Sequence, residues 1–189
     1  LNKKIIGVIS LLAILLVSSM SAVASAKTTN AMEHVEAALA TWEVDGVIIY
    51  ADFYQFLTNM ASQEKTGRFG FLEVTVRHPF GYIESTVTTF DWSWSADHAS
   101  ASASMPFTVI DPTTNEPVTI YHDITITWDA NSKTTVEHTK IGFALVNLGV
   151  KTGMAILTIS TPDNPYLTSL HAGTYYADEA YILKGGIIL

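Results

Sequence analysis

Apolar and polar residues trade places with period two along much of this chain, the mark of strands that bury one face. Residues 71–77 set Leu72, Val74 and Val76 against Glu73, Thr75 and Arg77. Residues 99–109 set Ala99, Ala101, Ala103, Met105, Phe107 and Val109 against Ser100, Ser102, Ser104 and Thr108. Residues 118–128 point Val118, Ile120, Ile124, Ile126 and Trp128 one way, and His122 shares their parity. Residues 47–54 are rich in the β-branched and aromatic types that strands favour. Further strands are expected at 82–94, 134–146, 154–160, 175–183 and 187–189.

Turn chemistry separates these runs. Gly67-Arg68-Phe69-Gly70 and His78-Pro79-Phe80-Gly81 interrupt the ladder, and 111–117 and 161–165 read as loops. Asp129-Ala130-Asn131-Ser132-Lys133 reads as a short hairpin connection. Short strands with such punctuation predict an all-β, antiparallel β-sandwich, immunoglobulin-like or jelly-roll-like, forming one domain over residues 27–189. One segment dissents. Asn30 with Glu33 fits an N-cap and its acidic N3 partner, and Met32, Val35, Leu39 and Trp42 keep helical spacing. A short N-terminal helix and an irregular first strand both remain open there.

Residues 1–26 change the picture of where the chain acts. Lys3 and Lys4 precede an apolar run over 5–17, and Ala24-Ser25-Ala26 closes the segment as an A-x-A cleavage signature. The run is shorter than the roughly 20 apolar residues a membrane helix needs. A secretory signal peptide cut near Ala26 is expected, with the mature chain secreted or associated with the cell surface and carrying no transmembrane segment. The whole sequence has a net charge of −8. The signal holds two lysines and no acid, so the mature chain is more acidic still. That sign speaks against nucleic acid, which attracts clustered Lys and Arg. Cysteine is absent, so the core or a partner must do what disulfides do in many secreted domains.

Candidate chemistry is sparse. Phe90, Trp92 and Trp94 share one face of a predicted strand. Exposed, such a row would stack on sugar rings; turned inward, it would be core. The pattern leaves both open. His122 and His138 fall on either side of the predicted turn at Asn131. A hairpin there would make them diagonal neighbours, a start for a zinc or copper site that still lacks ligands. Asp111 with Asn115 and Glu116, or Asp129 with Asn131, could offer oxygens to calcium, although turn propensity explains the same residues. No cofactor is otherwise expected. No G-x-S-x-G, H-E-x-x-H or Gly-rich phosphate loop occurs, so no catalysis is expected.

The sequence therefore predicts a secreted, non-catalytic binding module for glycan or extracellular matrix. The alternative is a structural surface protein that self-associates through strand edges, for which the Ala/Ser alternation at 99–104 and the apolar Ile187-Ile188-Leu189 terminus argue. A hydrolase without a recognisable motif is the third reading.

Overall fold

A computed structural model describes residues 32–59, 66–79, 81–141, 144–164, 167 and 170–188. The signal-like segment 1–26, Asn30 and Leu189 lie outside the described residues. Among the described residues ten strands follow in order: β1 (Met32–Val44), β2 (Val47–Asn59), β3 (Thr66–His78), β4 (Gly81–Val87), β5 (Asp91–Trp94), β6 (His98–Ile110), β7 (Pro117–Ala130), β8 (Thr135–Ile141), β9 (Ala144–Ile159) and β10 (Gly173–Ile188). They form one antiparallel sheet in the order β4-β3-β2-β1-β10-β9-β7-β6-β5, with β8 also on β9.

The sheet curls over its own core without closing. Phe53 on β2 touches Trp94 on β5 and Trp128 on β7, although several strands separate these in the sheet order. One large curled sheet thus stands where a two-sheet sandwich was expected. The seam lies where β4 passes beside β6 with no ladder between them. Pro106 sits in β6 and supplies no N–H, and proline is tolerated in a sheet where a strand lacks a partner on that side. The expected single strand over 82–94 is split into β4 and β5, which lie at opposite ends of the sheet order. After Val87 on β4, which hydrogen-bonds β3, residues 88–90 carry the chain to the opposite edge of the sheet, where β5 pairs with β6.

The expected helix is instead β1. It pairs with β2 from Glu33 to Val44 and with β10 from Met32 to Ala40. Ala38, Ala40 and Trp42 face the main core, while Ala37 and Leu39, on the opposite face, are buried too. A strand buried on both sides loses its period-two signature, which is why helical spacing could be read into it.

The chain does not reverse at Asn131, which corrects the expected hairpin. Ile124 to Ala130 of β7 pairs with Ile159 to Gly153 of β9, and Thr135 to Ile141 of β8 pairs with Val150 to Ala144 of the same strand. β7 and β8 therefore run in the same direction along one edge of β9, end to end. The reversals lie elsewhere, between β6 and β7 and between β8 and β9. Asn131 N–H and Ser132 N–H both donate to the Thr152 carbonyl, holding the break against β9. At the same level β10 carries a β-bulge between Ala177 and Ala180, and Gly153 lies opposite Ala130. A Cβ on Gly153 would fall on the Asp129 carbonyl oxygen, so only glycine permits this approach. The strand-like C-terminus is no free edge: Ile187 and Ile188 pair with β1 on one side and β9 on the other.

Candidate functional site

β5 is a four-residue edge strand, and its alternation decides which way the aromatic row points. Asp91 and Ser93 are exposed, while Trp92 and Trp94 turn toward the core with Phe90 just before them. Their cross-strand neighbours on β6 are small: Trp92 lies opposite Ala101 and Trp94 opposite Ala99. These alanines leave room for indoles, which gives the Ala/Ser alternation a packing role. On its other face, β6 directs Ser100 to the Ser93 hydroxyl at 2.8 Å and Ser102 to Thr125 at 2.8 Å.

Phe53 organises the row. It is fully buried on β2 and meets Phe90, Trp92 and Trp94 at centroid distances of 5.5, 5.6 and 5.2 Å. The interplanar angles of 83°, 67° and 70° are edge-to-face, the arrangement aromatic quadrupoles favour. Gly70 on β3 makes space: its Cα lies where a Cβ would stand 3.3 Å from Phe53 and 3.6 Å from Phe90. The three rings stay only half-buried. The row is thus neither sealed core nor a flat outer platform, but a set of rings anchored from within at an open sheet edge.

A polar row borders these aromatics. Gln55, two residues beyond Phe53 on the inner face of β2, lies opposite Glu36 on β1, which in turn lies opposite Lys184 on β10. Gln55 Nε2 donates to Glu36 Oε2 at 2.8 Å, and Lys184 Nζ approaches Glu36 Oε1 at 2.7 Å. Glu36 and Gln55 are buried, so the carboxylate's two partners offset the cost of removing its charge from water. Lys151 on β9 pairs with Asp97 and donates to the Ala96 carbonyl at 3.3 Å, tying the loop after β5 to the sheet.

The opposite face of β2 and β3 carries like charges. Asp52 lies directly across from Glu73, and Glu84 flanks Glu73 from β4. Burial, reinforced by the Glu73 carboxylate, pushes the Asp52 carboxyl up to about 7. Burial and Glu84 raise Glu73 as well. Tyr54, two residues on, stacks with Phe71 at 4.6 Å, and burial followed by the neighbouring carboxylates pushes its phenol upward.

The candidate metal residues are dispersed. His122 is opposite Met105 on β6, whereas His138 is opposite Asn147 on β9 and approaches its Oδ1 at 2.7 Å through Nδ1. β7 and β8 pair with separate stretches of β9, so the two histidines lie far apart along the sheet rather than as diagonal neighbours. Asp111 closes its own turn: its Oδ1 accepts from Thr113 N–H at 2.7 Å, and that bond chiefly holds its carboxyl below the usual range. Asn115 takes a φ of 58° in the same loop and donates its N–H to the Asp111 carbonyl. Asp129 accepts from or pairs with His98 Nδ1 at 2.7 Å, leaving Asn131 as a backbone anchor. Among the described residues no group of three or more His, Asp or Glu converges as a metal site.

Sequence reasoning located the aromatic row but missed Phe53, the Glu36–Gln55–Lys184 row and the Asp52–Glu73 pair. Each depends on strand register, which adjacent residues do not reveal. Comparison with models of known protein families and with curated proteins finds no match.

Proposed function

We propose that the mature chain, residues 27–189, is a secreted, non-catalytic β domain that binds glycan or extracellular matrix through the aromatic row of β5. The observation that carries this reading is that Phe90, Trp92 and Trp94 stay partly exposed at an edge strand while Phe53 fixes them from beneath. Rings held rigid before contact lose little entropy on binding, which favours stacking against the apolar face of a sugar. The acidic net charge favours neutral over anionic glycans, because like charges repel.

Tryptophan emission tests this directly. Trp42 and Trp128 are buried, so quenching by acrylamide reports Trp92 and Trp94. The expected result is a quenchable component that Trp92→Phe and Trp94→Phe remove. A neutral polysaccharide should shift and protect the same component saturably. Quenching that no polysaccharide in a broad panel alters would overturn the reading.

A second reading, self-association through strand edges, is favoured by one observation: the sheet does not close, and among the described residues β8 has only β9 as a partner. Unpaired edges recruit further strands unless blocked. Sedimentation velocity over a hundredfold range of concentration separates the readings, since a constant monomer would rule out assembly.

A further inference from the structure

His122 is a buried titratable group that the binding reading leaves unused. It is fully buried, and among the described residues neither ring nitrogen has a hydrogen-bond partner. Met105 lies directly opposite on β6, and the Phe107 ring meets the imidazole edge-on at 5.9 Å. A neutral imidazole tolerates such a site at the cost of its lost hydrogen bonds, but an imidazolium does not. Burial accordingly lowers the affinity of His122 for a proton, with Asp123 and Asp163 opposing the effect.

The chain just after β9 is fastened beside this histidine. Asp123 N–H donates to Thr161 Oγ1 at 2.6 Å, and Ser160 N–H donates to the Asp123 carbonyl at 3.0 Å. Asp163 accepts from Ala172 N–H at 2.9 Å and pairs with His171 at 3.1 Å, while Leu167 and Leu170 enter the core. Among the described residues, the charged and titratable groups around the histidine are thus Asp123 on its own strand and Asp163 with His171 from the segment after β9. Tyr175 on β10 also senses Asp163. Met105 and Phe107 of β6 bring no charge.

We propose that His122 makes this fastening acid-sensitive: its protonation drives the ring out of the core, releases residues 160–164 from β7 and, through Asp163, loosens 170–172, while the rest of the sheet stays folded. The carboxylate of Asp163 is the counter-charge the freed imidazolium would reach. His171 cannot account for the release, because protonating it strengthens its pair with Asp163.

The test is amide hydrogen exchange followed by NMR between pH 7.5 and 5, with each rate corrected for its intrinsic pH dependence. Protection at Asp123, Ser160 and Ala172 should fall about tenfold per pH unit once one proton is linked to opening, with β1 and β2 amides unchanged. His122→Phe should abolish that fall, and His122→Gln serves the same purpose should the phenylalanine variant fail to fold. The same fall in a folded, non-titrating variant overturns the proposal. So does no fall in the native protein, or an equal fall in β1 and β2, which would signal global unfolding.

Discussion

Phe53→Ala should cost about 3–5 kcal/mol of stability, the usual range for truncating a buried phenylalanine to alanine. The expectation rests on position as well as size. Phe53 touches Phe90, Trp92, Trp94 and, at 6.1 Å, Trp128, so it joins β2 to both β5 and β7 across the curled sheet. β5 is short, and among the described residues its backbone pairs only with β6. Without Phe53 its rings lose the surface that orients them, and the strand should loosen before the rest. Urea denaturation measures the loss. Near-ultraviolet circular dichroism and a red shift of Trp92 and Trp94 emission should report the loosened row in the folded variant. A loss below 1 kcal/mol with an unchanged aromatic spectrum would refute this account of the site.

Asp52→Asn should do the opposite and stabilise the protein at pH 8, by about 2–4 kcal/mol. The sign follows from proton binding. The folded state raises the Asp52 carboxyl from an ordinary 3.8 to about 7, so between those values it holds a proton that the unfolded chain releases. Stability contributed by that proton is full at low pH and is lost as pH rises through the window. Above it, Asp52 is a half-buried anion facing Glu73, and asparagine removes that repulsion. The gap between variant and native protein should therefore close as the pH falls toward 4. A gap independent of pH, or an asparagine variant less stable at pH 8, would show that the pair does not hold the proton as argued. His122 runs in the opposite sense. Its buried neutral form is favoured at higher pH, and the associated stability is lost as pH falls through and below about 6.5. Asp52→Asn and His122→Phe therefore separate two opposing slopes within one pH profile.

The alternating stretches were legible because each strand carries its own evidence. Leu72, Val74 and Val76 are buried as their pattern predicts, as are Met105, Phe107, Ile124, Ile126 and Trp128. Where a strand is buried on both faces, as β1 is at Ala37 to Ala40, the pattern vanishes and a helix competes with it. The turn at 129–133 misled for a related reason. Asp, Asn and Ser favour a break in the chain, but local chemistry does not say whether the strand beyond reverses or continues along the same neighbour. Continuation was decided by β9, which pairs with both β7 and β8 and whose Gly153 admits the close approach of Asp129 at the break.

By itself, then, the sequence determined the all-β class, most strand positions and the aromatic row, since hydrophobic period and turn residues are local properties. Only the tertiary structure decided the single curled sheet, the β7–β8 continuation and the partnering of residues distant in sequence. Phe53 beneath the β5 rings, Glu36 between Gln55 and Lys184, and Asp52 facing Glu73 all arise from register between strands. Register follows from how whole strands bury their faces together, a sum over long-range contacts that no short stretch of sequence contains.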